Sequence, residues 1–364
     1  MKILIAYASA GAGHQKAAEA IYDGLKVMTG HEVSCVDALD YTYPFYKKAY
    51  QQTYATLISY LSWLWWIFFA MADFPLFVPL VRLMRRIQNT INGHRFHCFL
   101  QEQQFDYIFS THFFPTEVMA ALKRTGKIRS QLITVITDFD VHSIWLAKGV
   151  DRYTVASERT KEKLKRLGVA EERIVVTGIP THTKFSKFYD TKALQRKLGL
   201  REDMFTILMA TGSFGIGPME EILNILKDVQ VLVVCGHNKN LFERLNRQSR
   251  ANIKIFPLVH NMEELMAVSQ VMITKPGGLS ISEALIRNLP LIFFSVIPGQ
   301  EANNVKVLQE YGVGFLSQKI QDIGGTIERL KSSAEQYQEA IQKIKAVARS
   351  NAVRDIIAII NPKL

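Results

Sequence analysis

Apolar runs and amphipathic stretches alternate along most of this 364-residue chain. The runs at residues 2–8 and 229–235 are predominantly apolar, as in strands that are buried on both faces. In residues 13–28, apolar side chains instead recur every three or four positions, which predicts a helix with one buried face. Because this alternation of strand and helix occurs twice, the sequence predicts an α/β protein with two parallel sheets.

A crossing of mixed polarity at residues 178–189, which contains Pro180, separates the two predicted sheets. A chain of this length suits two domains, with one large domain as the alternative. In the first half we predict strands at residues 2–8, 32–36, 105–110, 131–137, 152–156 and 173–177. In the second half we predict strands at residues 205–210, 229–235, 253–257, 271–274 and 291–294, and final helices at 326–345 and 347–360.

One region breaks this pattern, because between Lys48 and Arg82 the only charged residue is Asp73. The region is long enough to span a bilayer, but Gln51 and Gln52 dilute its apolar character. Aromatic segments flanked by arginine are typical of the bilayer interface, which favours interfacial insertion over a true span, a buried helix or an inter-subunit patch. The side chains predicted to associate with the membrane are Trp63, Trp65, Trp66, Phe68, Phe69, Arg82, Arg85 and Arg86.

The chain carries 44 basic and 33 acidic residues, a formal net charge of +11, which favours an anionic surface or substrate. The basic residues are spread over helices such as 161–166 and are not interleaved with aromatic residues, so nucleic acid is not an expected partner. Cys35, Cys98 and Cys235 are odd in number and form no CxxC pair, which predicts reduced, buried thiols in a cytoplasmic protein.

A glycine-rich turn with a histidine follows the first predicted strand. Gly11 and Gly13, with Asp37 after the second strand, partly match the dinucleotide fingerprint of an oxidoreductase, but Lys16 replaces the third glycine. His14 lies at the start of the following helix, where the helix N-terminus lowers the pKa of a histidine and keeps the ring neutral. A neutral histidine can act as a general base, and a capping or packing histidine is the alternative.

Two acidic residues, Asp138 and Asp140, follow the strand at residues 131–137 and resemble a metal-binding DxD motif. His142 and Trp145 follow on the same loop. Because a single DxD pair occurs often by chance, we predict a polar loop that faces an acceptor, with no metal ion.

Glycine-rich turns also follow two strands of the second half. Residues 211–217 carry three glycines, through which the backbone can approach phosphates closely, with Ser213 as a donor. No Gly-Lys-Ser/Thr follows, so a Walker motif is absent from the sequence and a kinase or ATPase is disfavoured. Gly277 and Gly278 follow the strand at residues 271–274 and open a helix, whose free N–H groups suit a diphosphate.

Polar side chains near this last turn extend the candidate nucleotide site. Glu283 lies one turn into the helix, where its carboxylate can accept the hydroxyls of a ribose. Gln300 and Glu301 form a second polar cluster on the next strand-to-helix loop. Because both clusters follow strands of one parallel sheet, we expect them at the same sheet edge. The alternative is a tight, capped strand–helix turn that binds nothing.

Together these segments resemble the bacterial processive diacylglycerol glucosyltransferases and the plant monogalactosyldiacylglycerol synthases, and more distantly the GlcNAc transferase of peptidoglycan synthesis. The resemblance covers nearly the whole chain, and the number and order of its motifs make it specific. The motifs are Gly13-His14, Thr137-Asp138-Phe139 with His142 and Trp145, Val176-Thr177-Gly178-Ile179-Pro180, Val234-Cys235-Gly236, Thr274-Lys275-Pro276-Gly277-Gly278 with Ser282-Glu283, and Pro298-Gly299-Gln300-Glu301 with Asn304.

The resemblance implies a GT-B fold, in which two Rossmann-like domains face a central cleft and the last helix crosses back to the first domain. It implies an acceptor and membrane-associating domain at residues 1–180 with 346–364, and a UDP-sugar domain at residues 181–345. The implied enzyme is peripheral, at the cytoplasmic face of the cell membrane. It would transfer a hexose, glucose or galactose, from a UDP-sugar to diacylglycerol or a glycosyl-diacylglycerol, with inversion and without a metal or other cofactor.

By the same resemblance, His14 is the base that deprotonates the lipid hydroxyl. The predicted donor-binding residues are Gly212, Ser213, Phe214, Val259, Gly277, Gly278, Leu279, Glu283, Gln300, Glu301 and Asn304. The predicted acceptor-side residues are Gly13, Asp138, His142 and Trp145. The alternatives are a transferase that acts on another lipid-linked acceptor, a nicotinamide-dependent oxidoreductase, and a non-catalytic regulator that binds nucleotide sugars.

Overall fold

The computed structural model describes residues 1–60, 92–248 and 250–361, together with Ile67, Met71 and Met84. Within these residues, none of the helices combines the length and the apolar character needed to cross a bilayer. The predicted membrane-associating side chains lie outside the described residues; they are Trp63, Trp65, Trp66, Phe68, Phe69, Arg82, Arg85 and Arg86. Their interfacial insertion therefore stays a prediction from the sequence.

The chain forms two compact units. Unit 1 contains Met1–His182, Ile297–Gln300 and Asn351–Leu364, and unit 2 contains Thr183–Val296 and Glu301–Ser350. The sequence assigns residues 297–300 to the second domain, whereas the structure groups them with unit 1.

Unit 1 is built on a parallel sheet whose strands are largely buried. Its strands are β1 (Lys2–Tyr7), β2 (Glu32–Asp37), β3 (Tyr107–Ser110), β4 (Gln131–Val135), β5 (Arg152–Val155) and β6 (Ile174–Val176). Its first helices are α1 (Ala12–Met28), α2 (Pro44–Tyr60), α3 (His94–Gln103), α4 (Phe113–Arg124) and α5 (Glu158–Arg166). The strand order, among the described residues, is β2-β1-β3-β4-β5-β6.

Unit 2 repeats the same architecture. Its strands are β7 (Thr206–Ala210), β8 (Gln230–Val234), β9 (Ile253–Phe256), β10 (Val271–Thr274), β11 (Leu291–Phe293) and β12 (Phe315–Leu316), in the order β12-β11-β10-β7-β8-β9. Its helices are α6 (Thr191–Lys197), α7 (Met219–Ile225), α8 (Lys239–Arg247), α9 (Met262–Ala267), α10 (Gly278–Ile286), α11 (Gln300–Glu310), α12 (Ile320–Ser332) and α13 (Ala334–Val347). All strand pairs of both sheets are parallel, which confirms the predicted α/β class.

The last helix, α14 (Ala352–Ala358), belongs to unit 1 and packs against α1. Its residues Val353, Ile356 and Ile357 join the buried cluster that includes the apolar face of α1. At Gly24 in α1 the two helices approach so closely that a Cβ atom would lie 2.3 Å from Val353 Cγ1. The predicted return of the C-terminal helix to the first domain is confirmed.

Two predicted helices differ from the observed ones. The predicted helix at 326–345 is two helices, because α12 ends at Ser332 and the Ser333 side chain caps α13 by accepting from the Gln336 N–H at 3.3 Å. The predicted helix at 347–360 begins only at Ala352, after a short loop.

Strand order reverses once in each sheet. In unit 1 the reversal lies between β1 and β3, and in unit 2 it lies between β7 and β10. Loops that leave the carboxyl ends of two such strands diverge and form a crevice, which is where open α/β sheets bind ligands. These two edges are therefore the expected binding edges of the two units.

Candidate active site

His14 lies in the first turn of α1, at the reversal point of the unit 1 sheet. Its Nδ1 is 2.8 Å from the backbone carbonyl oxygen of Thr111, and the Thr111 hydroxyl donates to the His14 carbonyl at 2.9 Å. Because a carbonyl oxygen only accepts hydrogen bonds, Nδ1 carries the proton and Nε2 is the basic nitrogen. The Thr137 hydroxyl oxygen, 2.9 Å from Nδ1, shares the same proton.

The surroundings of His14 keep its ring neutral. Burial lowers the pKa of this half-buried histidine to about 4, although the hydrogen bond to Thr111 acts in the opposite direction. From the sequence we expect the helix N-terminus to lower the pKa of His14, whereas in the structure burial is the main cause. The buried rings of His112 and Trp145 lie with their centroids 4.6 and 6.1 Å from that of His14. Both rings thus pack around the imidazole of His14.

Both carboxylates of the DxD segment are engaged by protein side chains. Asp138 is buried, and both of its oxygens lie 2.7 Å from the Gln300 Nε2 that donates to them. Asp140 forms an ion pair with Lys163 at 2.6 Å. No three His, Cys, Asp or Glu side chains of the described residues are grouped so that they would hold a metal ion. Gln300, which the sequence predicts as a donor contact, is thus bonded to the predicted acceptor-side Asp138 in unit 1.

The other predicted acceptor-side residues surround this edge. Gly13 is half-buried beside His14 in α1. His142 is buried, and its Nδ1 accepts from the Ile144 N–H at 3.1 Å, so it caps the short 3₁₀ turn Ser143–Trp145. His142 therefore supports the turn that carries the Trp145 ring to His14.

Asp37, at the end of β2, accepts hydrogen bonds from four groups. Its Oδ1 accepts from the N–H groups of Ser9 and Leu39, at 3.2 and 3.0 Å. Its Oδ2 accepts from the Ser9 hydroxyl at 2.5 Å and from Lys47 Nζ of α2 at 2.9 Å. Gln51 of α2 also donates to the carbonyl and hydroxyl oxygens of Ser9. With four donors on two oxygens, Asp37 fixes the loop that leads to His14 and has no capacity left for a ribose, which argues against the oxidoreductase alternative.

Thr111 and His112 were not predicted as site residues. They follow β3 directly, at the same sheet edge as His14, and this position at a strand end was the signal available in the sequence. The contact itself depends on the register in which Ala6 of β1 lies opposite Ser110 of β3.

In unit 2, the glycine loop after β7 packs against the turn after β8. A Cβ atom at Gly215, where φ is 59°, would lie 2.0 Å from the carbonyl oxygen of Cys235, so only glycine fits there. The His237 N–H donates to the Ser213 carbonyl at 2.8 Å. Gly212 has a φ of 78°, and a Cβ atom there would meet nothing within 4 Å. The loop is therefore anchored on one side and open on the other.

The turn between β10 and α10 is equally open. No side chain caps α10 at its N-cap residue Gly277, and a Cβ atom there would meet nothing within 4 Å. The first N–H groups of the helix therefore remain available for an anion. Asn304 is buried, and its Nδ2 donates to the Pro276 carbonyl at 3.1 Å, so this predicted donor contact supports the turn from behind.

The two loops leave neighbouring strands, because Ala210 of β7 lies opposite Thr274 of β10. The predicted donor-binding residues differ in exposure. The exposed ones are Gly212, Phe214 and Gly277, and the buried ones are Gly278 and Asn304. The half-buried ones are Ser213, Val259, Leu279, Glu283, Gln300 and Glu301. This edge of unit 2 thus combines glycine backbone, an uncapped helix start and carboxylates. Such a combination suits a diphosphate joined to hydroxyl-bearing groups.

Residues 14–181, which include the surroundings of His14, match the monogalactosyldiacylglycerol (MGDG) synthase family. Residues 217–359, which include the edge of unit 2, match the glycosyltransferase family 28 C-terminal domain. A processive diacylglycerol beta-glucosyltransferase from Bacillus mycoides is 31% identical over 270 residues, which cover 72% of this chain and 69% of that relative. The chain belongs to the MGDG synthase and glycosyltransferase 28 family.

Two further relatives with the same name extend the comparison of this family member. The one from Staphylococcus carnosus is 38% identical over 211 residues, 56% of this chain and 54% of the relative. The one from Bacillus pumilus is 27% identical over 373 aligned positions, 98% of this chain and 93% of the relative. The chain thus spans about half the length of the first relative and nearly all of the second.

The family member also has solved structural neighbours. The crystal structure of Acinetobacter baumannii MurG superposes with a TM-score of 0.64, covers 100% of both chains and is 14% identical. At this identity the likeness concerns the fold alone. Together with the two parallel sheets, it confirms the predicted GT-B fold class.

Proposed function

We propose that this family member transfers glucose from UDP-glucose to the hydroxyl of diacylglycerol, and then to that of the glucosyl-diacylglycerol it forms. The names of its relatives support the lipid acceptor, and they favour glucose over galactose as the sugar. The structural observation that carries the proposal is the hydrogen bond from His14 Nδ1 to the Thr111 carbonyl, which leaves Nε2 as a base.

In the proposed reaction His14 removes the proton of the lipid hydroxyl. A pKa of about 4 keeps Nε2 unprotonated over the physiological range. When Nε2 takes the proton, the ring becomes charged, and the hydrogen bonds from Nδ1 to the Thr111 carbonyl and the Thr137 hydroxyl stabilise this charge. His14 is thus a weak base before the reaction, and these hydrogen bonds stabilise its protonated form during the reaction.

The donor occupies the edge of unit 2 in this proposal. Backbone N–H groups of residues 211–215 and of the first turn of α10 hold the diphosphate, Glu283 accepts the ribose hydroxyls, and Glu301 contacts the sugar. The backbone N–H groups supply the positive potential that a metal ion supplies in other transferases. The engagement of Asp138 and Asp140 by Gln300 and Lys163 supports a reaction without a metal. A single displacement converts an α-linked donor into a β-linked product.

The proposed place of the reaction is the cytoplasmic face of the membrane, with the protein bound peripherally. The formal net charge of +11 supports attraction to anionic lipid, and the sequence of residues 57–81 supports interfacial insertion.

The proposal is tested by incubating the purified chain with UDP-glucose, UDP-galactose or UDP-N-acetylglucosamine and a panel of lipid acceptors, with products read by mass spectrometry. We expect glucose on diacylglycerol, and we expect His14→Ala to lower kcat by about 10² or more while UDP binding persists. His182→Ala, which changes an exposed histidine of unit 1, is the control and should retain full turnover. Near-normal turnover of His14→Ala, or transfer to a polyprenyl lipid only, would contradict the proposal.

A further inference from the structure

Lys275 lies between the end of β10 and the glycine turn, and its side chain is half-buried. Within the described residues, none of the ion pairs shorter than 4.0 Å involves its ammonium group. Burial lowers the pKa of Lys275, and the negative charge of Glu301, in the first turn of α11, partly opposes this effect. An ammonium group that loses water without a close counterion is unfavourable until an anion binds to it.

A second polar group at the same edge lacks a partner. Thr211 follows Ala210 of β7, and Ala210 lies opposite Thr274 of β10. Thr211 and Lys275 are therefore the first residues after two adjacent strands, at equivalent register positions. Thr211 is only 5% exposed, and its hydroxyl has no hydrogen-bond partner. Most buried hydroxyl groups in proteins are paired, so an unpaired one beside an open loop indicates a position that a ligand completes.

The uncapped N-terminus of α10 completes the cluster. Its N-cap residue Gly277 follows Lys275 by two positions, and the Gly277 N–H is bonded to the Lys275 carbonyl at 2.9 Å. The ends of β7 and β10 thus bring Thr211, Lys275 and the uncapped start of α10 to one reversal point of the sheet. All three are donors, and two of them carry positive charge or partial positive charge, so their common ligand is an anion.

We propose that Lys275 binds the diphosphate of the donor and neutralises the charge that this group gains during transfer. The inference rests on the proposed glucosyl transfer. In that reaction the lipid oxygen bonds to C1 of glucose, and the bond from C1 to the β-phosphate oxygen breaks. The electron pair of the broken bond stays with the diphosphate, and the hydroxyl proton passes to His14 Nε2. The diphosphate therefore gains one negative charge.

Lys275 and its neighbours have different roles in this scheme. The Thr211 hydroxyl is neutral and donates to the diphosphate before and after transfer, so it contributes mainly to binding, whereas the N–H groups of α10 share the stabilisation of the new charge with Lys275. The ammonium group of Lys275 interacts more strongly with the diphosphate after the bond breaks, because the leaving group then carries more charge. An interaction that strengthens toward the product accelerates the chemical step and does not only improve binding.

The test compares binding of UDP, UDP-glucose and uridine to the full chain by calorimetry, together with turnover. For Lys275→Met we expect UDP affinity to fall about 10-fold or more, UDP-glucose affinity to fall less, and kcat to fall by about 10², as for the loss of a charge-assisted hydrogen bond. Uridine affinity should stay unchanged, because uridine has no phosphate. Lys275→Arg keeps the charge and should retain UDP affinity within about 3-fold.

The control is Lys306→Met, which removes an exposed lysine of α11 and lowers the net charge of the protein by the same amount. Its UDP affinity should match that of the wild type. Unchanged UDP affinity in Lys275→Met overturns the inference, and so does a loss of uridine affinity as large as the loss of UDP affinity, because that pattern indicates structural damage. A wild-type chain that binds neither UDP nor uridine would refute the proposed function itself.

Discussion

Replacing Gly24 with alanine tests how closely the last helix packs against α1. A Cβ atom at this position would lie 2.3 Å from Val353 Cγ1 and 3.1 Å from Ile357 Cδ1. Both residues are buried in the core of unit 1, so their methyl groups have little free space into which to move. The substitution also removes a glycine from the interior of a helix, which by itself stabilises a protein by about 1 kcal/mol. The two effects have opposite signs.

The steric effect is expected to be the larger one. The shorter contact is about 1.2–1.7 Å closer than the optimum of about 3.5–4.0 Å between carbon atoms. Overpacking of a rigid core costs about 1–3 kcal/mol, and a contact this short belongs in the upper part of that range. After the gain in helix propensity, Gly24→Ala should lower the free energy of unfolding of unit 1 by about 1–2 kcal/mol. In a Val353→Ala background the 2.3 Å contact is gone and the end of the Ile357 side chain gains space to shift, so the same change should instead stabilise, by less than about 1 kcal/mol.

Tryptophan fluorescence in urea reports on unit 1 and not on unit 2, because Trp145 is buried in unit 1 and the sequence of unit 2 contains no tryptophan. The matched control is Gly325→Ala in α12 of unit 2, an exposed helical position where a Cβ atom would meet nothing within 4 Å. Calorimetry should show that Gly325→Ala stabilises unit 2 by about 0.5–1 kcal/mol. If Gly24→Ala stabilises unit 1 by a similar amount, or if Val353→Ala leaves its sign unchanged, the close approach of the two helices is refuted.

Three further predictions concern activity and membrane binding. The base is active only when it is unprotonated, and its pKa is about 4. In steady-state assays kcat/KM should therefore stay level from pH 8 to about pH 5 and fall at lower pH, with a midpoint near 4. A midpoint near 6.5 would contradict the burial of His14. Asp37→Asn should lower kcat by about 10-fold or more with little change in UDP affinity, because the loop before His14 loses its ion pair with Lys47. The control is Asp40→Asn, which removes an exposed partner of the same lysine and should have a small effect on kcat. Sedimentation with anionic liposomes should be weaker for Trp65→Ser/Trp66→Ser than for the wild type, and equal sedimentation would exclude insertion of these side chains.

The strands were the most predictable part of the fold. Predominantly apolar runs such as residues 229–235 correspond to β8, because a parallel strand that is buried on both faces needs apolar side chains at nearly every position. The strand β12 was missed, since its two residues, Phe315 and Leu316, are too few to show a pattern. The break at Ser333 was also missed, because a serine inside a helical pattern becomes a cap only when the preceding helix ends there.

The candidate site was predictable to the level of its loops. Glycine turns after apolar strands mark where His14 and Gly277 lie, because the ligand-binding loops of open parallel sheets follow the carboxyl ends of the strands. The direction of individual side chains was not predictable. Gln300 and Asn304 belong to one sequence motif, but Gln300 is bonded to Asp138 and Asn304 supports the Pro276 carbonyl. These directions depend on tertiary contacts, and the local sequence contains no signal for them.

The packing of α14 on α1 also has a consequence for protein synthesis. The strands of unit 1 are complete once residue 176 has been translated, but the part of its core that α14 supplies comes only with Ala352–Ala358. All of Thr183–Ser350 belongs to unit 2, except for a four-residue segment. Because ribosomes add about 5–20 residues per second, translation of this stretch takes about 8–34 s. During that time the apolar face of α1 around Gly24 stays uncovered on the ribosome, where chaperones have the opportunity to bind it. Helix α14 therefore completes the core around α1 only after unit 2 has been translated.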